Sequence, residues 1–375
     1  MLSFELTPRL LLDLKALDGE ITHAATFIGS LNQEARQAIA RYAFISNIGA
    51  STRIENAVLT NPEIDWMDDT ISKDGRPSAF EDNVALIENK ISKDKERSIE
   101  EVAGCREFLQ LVYRDSHQLK PLTEAQIREF HHVLLAYYPK ANHYLGCYKT
   151  APNSVISTNH RTGQVKDVLV TADPGDQTKI AMQTLLEWYN RSIDQHAWTV
   201  AVACEFISRF LAIHPFQDGN GRMSRGLFAL VLMQSGNPDL HALAPYLSTD
   251  RSIEENKQEY YFTLQQCSDG RFKEDPSEYK IGFLLGFMIK MLRAALQDIH
   301  LYCAKYQALQ NLSENAKLLL QCFKDNPQMR LKTGDLVLKL SLPRRTIIYN
   351  LDLLMKNKFL QRYGQARGVH YQLIF

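Results

Sequence analysis

The stretch that most constrains this chain is His214-Pro-Phe-Gln-Asp-Gly-Asn-Gly-Arg-Met-Ser-Arg225, followed at once by the apolar run Leu227-Phe-Ala-Leu-Val-Leu-Met233. The apolar run reads as a buried helix. It stops at Ser235-Gly-Asn-Pro238, a glycine-then-proline terminator. The glycines therefore sit where that helix begins, and Arg222 and Arg225 fall in its first turn, on one face. Cations at the positive end of a helix dipole are unfavourable unless an anion is close by. Free backbone N–H groups, flanking glycines and two guanidinium groups together describe a cradle for phosphate.

The rest of the chain predicts a mainly α protein. Its 375 residues exceed what one core usually serves, so two or three domains are expected. The 43 basic residues balance the 43 acidic ones, which excludes a global field toward nucleic acid or membrane. The six cysteines are scattered without a C-x-x-C pair, which argues against a zinc site or disulfide framework and fits a cytoplasmic, reducing location. No secretory leader is read at the N-terminus, and no apolar run is long enough to span a bilayer, so no membrane partner is expected.

Helical spacing marks residues 1–110 as an N-terminal helical region, with a surface loop at Ser72-Lys-Asp-Gly-Arg-Pro-Ser78. The second region, 111–305, is also helical. It starts with a helix between Pro121 and Tyr138 that carries the capping box Thr123-x-x-Gln126. It is interrupted by one hairpin, Val155-Ile-Ser-Thr and Val165 to Thr171 around Asn159-His-Arg-Thr-Gly163. Residues 313–375 predict helices at Ala316–Phe323, Lys332–Leu340 and Arg344–Asn357, then two short strands: a winged helix-turn-helix.

The segment His214–Arg225 resembles the signature of the Fic (Fido-domain) family: His-x-Phe, an acidic residue, Gly-Asn-Gly-Arg, two free positions, then Arg. The resemblance extends over roughly residues 110–300. It implies a Fic-type helical core with the hairpin as a flap over the site. It also implies an adenylyltransferase that moves AMP from ATP to a Tyr, Ser or Thr hydroxyl of a target protein or of itself. On that reading His214 is the general base, Phe216 holds the loop, and Asp218 ligates Mg²⁺. Gly219, Asn220 and Gly221 shape the anion hole, with Asn220 on the α-phosphate, and Arg222 and Arg225 neutralise the β- and γ-phosphates. Gly219 is intact where a kinase subgroup has lysine. Asn256 and Tyr261 are the expected adenosine contacts. Upstream, Ser51-Thr-Arg-Ile-Glu55-Asn56 is similar to the family's inhibitory pattern, in which Glu55 pairs with Arg225 and takes the place of the γ-phosphate. The flap is expected to register an extended target by strand addition. The sequence departs from many relatives at Ile207, where they carry histidine, and at Lys149, where they carry arginine.

Other readings compete. Thr52-Arg-Ile-Glu55 is also a capping box, in which Glu55 satisfies a backbone N–H. Relatives with an inhibitory glutamate include enzymes that use it to remove AMP, so a de-AMPylase is the first alternative. The second is a DNA-binding regulator with a nucleotide-sensing core. In it Arg344, Arg345, Thr346, Tyr349 and Asn350 form the recognition helix and Arg362 and Arg367 the wing, although such modules also serve as protein contacts. A homodimer interface is a further possible partner.

Overall fold

The computed structural model describes residues 1–72, 80, 83, 87, 91, 95–158, 165–365 and 368–374, with backbone alone at 154–158 and 165–168. The expected loop at 72–78 (beyond Ser72), the hairpin turn Asn159–Gly163 and Arg367 lie outside the described residues. Helices dominate, and two-stranded sheets are the β structure present among the described residues.

The N-terminal helices are α1 (Pro8–Ser30), α2 (Gln33–Ile54) and α3 (Asn61–Ser72). Thr7 and Asn32 cap the first two: Leu10 N–H donates to the Thr7 hydroxyl and Ala35 N–H to Asn32 Oδ1. Next come α4 (Glu96–Asp115) and α5 (Glu124–Leu135), the latter opened by the capping box of Thr123 and Gln126. After the hairpin, β1 (Ser154–Thr158) and β2 (Val165–Val170), follow α6 (Asp176–Gln195), α7 (Thr199–Ile213) and α8 (Asn220–Met233). Then come α9 (Pro238–Leu243), α10 (Thr249–Glu255), α11 (Lys257–Ser268) and the long α12 (Gly282–Gln310).

Every residue of α7 is buried, which makes it the central rod of the fold. Its residues are mostly apolar, and its two charged ones, Glu205 and Arg209, pair with each other (3.2 Å). Two glycines permit close crossings beside it. A Cβ on Gly104 would lie 2.0 Å from Leu134 O, where α4 meets α5. One on Gly226 would lie 2.2 Å from Phe108 Cε1, where α8 meets α4. One continuous core runs from Leu14 to Cys303. The expected boundary at residue 110 therefore falls inside α4, and the N-terminal helices share their core with those that follow.

The hairpin is antiparallel, with a register shift between Val155 and Ile156. An isolated hairpin is marginal in water. This one leans on the chain after α11, where Val170 N–H donates to Gly270 O and Phe272 N–H to Val170 O. A second, separate core joins α13 (Glu314–Lys324), α14 (Thr333–Leu340), α15 (Arg344–Lys356), β3 (Leu360–Tyr363) and β4 (His370–Leu373). A bridge between Leu331 and Tyr371 adds a third strand position to that sheet. Asn350 faces inward, against the expectation that it belongs to an exposed recognition surface. Its amide donates to Thr346 O and accepts from Ser313 Oγ, because its place on α15 follows the buried stripe of Ile347, Leu351 and Leu354.

Candidate active site

The polar segment is a loop between the C-terminus of α7 and the N-terminus of α8. His214 ends α7 in the left-handed region (φ 51°), and Pro215 prevents the helix from continuing. The loop closes on itself through Asn220. Phe216 N–H donates to Asn220 Oδ1 (3.0 Å) and Asn220 Nδ2 donates to Phe216 O (2.7 Å). Asn220 is 1% exposed. Its side chain thus braces the loop backbone while the residue also lines the cavity. Gly219 takes φ 82° at the helix N-cap, a conformation that suits glycine. The N–H groups of Asn220, Gly221 and Arg222 precede the first intrahelical bond, Met223 N–H to Gly219 O, so they are unused by the helix.

Phe216 is fully buried and stacks on His131, centroids 3.9 Å apart and planes 3° from parallel. His131 accepts from Gly146 N–H at Nδ1 and reaches Asp218 O with Nε2 (3.2 Å), so Nε2 carries the proton. Burial pushes its pKa down to about 4, which keeps it a neutral brace. Sequence reasoning missed His131. It lies in an ordinary amphipathic helix, and nothing in its local pattern marks it.

His214 Nδ1 lies 3.2 Å from Leu211 O and donates to it. That fixes the tautomer and leaves Nε2 without a proton. Desolvation pushes the His214 pKa down to about 4; the bond to Leu211 opposes the shift and the charge of Lys149 adds to it. The imidazole lines a cavity of about 250 Å³, together with Glu55, Asp218, Gly219, Asn220, Gly221, Arg222, Arg225 and Tyr261. Ser208, Leu211, Leu264, Gln265 and Ser268 extend it away from the loop. Asn256 does not line it. That residue ends α10, and its amide donates to Ser252 O.

Arg222 is buried. Its Nη2 is 3.4 Å from Asp218 Oδ1, while its Nε and Nη1 are buried with no protein partner. Buried guanidinium donors without a protein partner, beside N–H groups the helix does not use, form a donor set suited to an anion. Arg225 is engaged. Its Nε donates to Ser51 Oγ (2.8 Å), and its Nη2 donates to Ser51 O and to Glu55 Oε1, both at 2.8 Å. Burial is the largest single influence and opposes the charge on Arg225, but Glu55, Tyr260 and Asp250 together outweigh it and raise the pKa. Behind the pair, burial pushes the Asp250 carboxyl up to about 6, against the pull of Arg225 and Ser51.

Glu55 stands just past the end of α2, and Thr52 lies inside that helix. The Thr52 hydroxyl bonds backward to Ile48 O and Gly49 O, so the capping-box alternative does not form. Asn56 follows with φ 75°, which explains why asparagine or glycine suits the position. Arg53 holds this turn through a two-pronged pair with Glu254 (2.7 and 2.9 Å). Gly221 makes room for the carboxylate: a Cβ there would lie 2.4 Å from Glu55 Oε1.

Residues 121–232 match the Fic/DOC family. The chain carries a Fic/DOC domain. The chain is 23% identical over 223 residues to the protein adenylyltransferase and cysteine protease IbpA of Histophilus somni, covering 58% of this chain and 5% of that protein. It is 31% identical over 101 residues to the protein adenylyltransferase Fic of Drosophila willistoni, covering 27% of this chain and 18% of that one. The chain thus spans a small part of the curated relatives it matches. Among solved structures, a Fic family protein from Desulfovibrio desulfuricans G20 superposes with a TM-score of 0.54 at 23% identity, over 100% of this chain and 98% of that one. Fic-1 from C. elegans superposes with a TM-score of 0.55 at 16% identity, over 78% and 73%. These likenesses are of fold.

Proposed function

We propose that this Fic domain transfers AMP from ATP to a hydroxyl of a protein, and that Glu55 restrains it. One observation carries the reading: an imidazole with a fixed proton at Nδ1 and a bare Nε2 shares a cavity with a helix N-terminus and two orphaned guanidinium donors. The hydroxyl oxygen attacks the α-phosphorus, the bond to the α–β bridging oxygen breaks, and pyrophosphate leaves. The hydroxyl proton passes to His214 Nε2, which a neutral imidazole accepts readily. Arg222 and the N–H groups opening α8 meet the charge that develops on the phosphates. Arg225 completes that set once Glu55 has withdrawn.

Among the described residues no cluster of three or more His, Cys, Asp or Glu could hold a metal ion. A lone carboxylate is nevertheless the donor set that suits Mg²⁺ arriving on phosphate oxygens. Asp218 is 39% exposed at the cavity, and only its Oδ1 is engaged, by Gly219 N–H and Arg222. When bound, the ion would neutralise phosphate charge.

Incubation with α-phosphate-labelled ATP and Mg²⁺ tests the reading. Glu55→Gly should label itself more than the parent protein, and Glu55→Gly with His214→Ala should not label. A Glu55→Gly protein that binds ATP and transfers no label to itself or to a protein mixture counts against it. Removal of AMP is favoured by one feature: Glu55, 32% exposed, shares the cavity with His214 and can orient water there. Release of AMP from a modified protein, lost in Glu55→Gly, distinguishes that activity.

We further infer that residues 313–374 act as a winged helix. Arg344, Arg345 and Tyr349 are exposed along α15, as a groove-reading helix requires. DNA binding with a steep salt dependence, weakened by Arg344→Ala with Arg345→Ala, supports a DNA contact. Salt-insensitive capture of a protein instead assigns a protein contact.

A further inference from the structure

The two feet of the hairpin meet at one buried amine. Asn153 precedes β1 and Thr171 follows β2. Lys149, 3% exposed, donates through Nζ to Asn153 Oδ1 (2.8 Å), to Thr171 Oγ1 (2.8 Å) and to Ile213 O (3.0 Å). The third acceptor is the residue before His214. The backbone N–H of Lys149 also donates to Pro215 O, the residue after it (2.8 Å). Asn153 Nδ2 continues the chain to Phe216 O (2.8 Å) and touches His214 O at 3.5 Å. Thr171 Oγ1 closes the loop by donating to Asn153 O (2.6 Å). The ammonium group thus ties the peptide before the imidazole to both feet of the hairpin, and the Lys149 backbone N–H and the Asn153 amide hold the carbonyls after it.

No carboxylate forms an ion pair with Lys149 among the described residues. A buried ammonium held only by neutral acceptors is a costly choice for mere packing. It gains three directional donors in return, and those donors link three segments. We infer that Lys149 is a positioning residue that transmits the seating of a target on the hairpin to the placement of His214. The inference rests on the proposed role of His214 as the base. A strand added along the hairpin shifts its feet, and the shift passes through Lys149 to the end of α7.

Lys149 also acts on the imidazole by charge. Burial is the largest cause of the low His214 pKa, and Lys149 lowers it further, while Glu55 on α2 and Asp218 on the loop raise it. Arg222 and Arg225 of α8 line the same cavity. Removing the Lys149 charge therefore raises the His214 pKa, which a bolt without charge cannot do.

The test uses the full chain in the Glu55→Gly background with labelled MgATP. Lys149→Met should lower kcat for AMP transfer about tenfold to a hundredfold, the cost of a small misplacement of a catalytic group. KM for ATP should stay within about twofold, because ground-state binding is untouched. The His214 ring resonances, followed by NMR, should titrate at higher pH in Lys149→Met than in the parent. Thr171→Val removes one acceptor of the ammonium and the donor to Asn153 O, but no charge, so it should lower kcat and leave that titration in place. Lys149→Arg should keep the titration low and restore part of kcat. If Lys149→Met does not fold, the contrast between Thr171→Val and Lys149→Arg decides the matter in the same way. Unchanged kcat in Thr171→Val and an unmoved His214 titration in the Lys149 variant overturn the inference. If Glu55→Gly transfers no AMP at all, the functional reading fails, and the titration still judges Lys149.

Discussion

Gly221→Ala is the most discriminating perturbation of the Glu55–Arg225 pair, because it touches neither charged residue. The new methyl would sit 2.4 Å from Glu55 Oε1 and 3.2 Å from its Cδ, but 3.4 Å from Arg225 Nη1. The carboxylate must move and the guanidinium need not. Glu55 is one-third exposed and Arg225 is buried, so the lost charged hydrogen bond is worth ~1–2 kcal/mol, between an exposed pair and a buried one. Against this, alanine is a better helix residue than glycine by up to ~1 kcal/mol, and about half of that is expected in a first turn. Gly221→Ala should therefore destabilise the parent by ~0.5–1.5 kcal/mol. In a Glu55→Ala background the same change should be neutral or stabilise by ~0.5 kcal/mol. The coupling, about 1–2 kcal/mol, is read from a double-mutant cycle on the denaturant-induced unfolding of the large helical core. Equal effects in both backgrounds would mean that the carboxylate does not occupy the space over Gly221, and the account of restraint would go with it.

The remaining predictions concern the loop and its braces. His214 and His131 both have folded pKa values pushed down to about 4 against an ordinary value near 6.5. The unfolded chain therefore binds more protons between those values, and stability should fall as pH drops from about 6.5 to about 4, then level off with respect to these groups; replacing His131 by glutamine should flatten that slope in acid unfolding. AMP transfer should be flat in His214 protonation above about pH 5 and decline only near 4, so a pH–rate profile with an inflection near 6.5 assigned to His214 contradicts the tautomer and burial described. Asn220→Asp loses the donor to Phe216 O and sets a carboxylate oxygen against that carbonyl, which should cost roughly 3 kcal/mol and abolish transfer; a variant of parental stability disproves the lock. Gly226→Ala drives a methyl to 2.2 Å from the Phe108 ring and should destabilise by about 1–3 kcal/mol in thermal unfolding, in contrast to Gly334→Ala, where nothing lies within 4 Å.

Much of the site was legible because its signals are local. The apolar run after Arg225 and the Gly-Asn-Pro stop defined α8, and the position of the glycines ahead of it placed the loop. The capping box at Thr123 formed where its residues predicted, and the hairpin strands fell within a residue or two of their expected limits. What sequence could not show was spatial. Thr52 and Glu55 fit an N-terminal cap as well as a C-terminal turn, and only the course of α2 through residue 54 decides between them. Sequence offered Asn220 as a ligand donor and gave no sign that its two amide ends also match the Phe216 peptide across four residues. His131, Lys149, Asn153 and Thr171 brace the loop from separate segments, and their roles exist only in the assembled fold. Asn256 had only its position in a motif to recommend it, and the end of α10 claims its amide.

The helix that delivers Glu55 is a structural member of the protein. Ile39, Ala43, Ile48 and Ile54 of α2 are buried in the same core as α7 and α8. Undocking α2 would expose much of that interior, so the proposed restraint by Glu55 is not relieved cheaply by swinging the whole helix away. Whatever frees the guanidinium of Arg225 must act locally, on one side-chain rotation and the short turn at Asn56. On the proposed reading, the restraint is therefore a contact only a few atoms wide on an otherwise fixed scaffold.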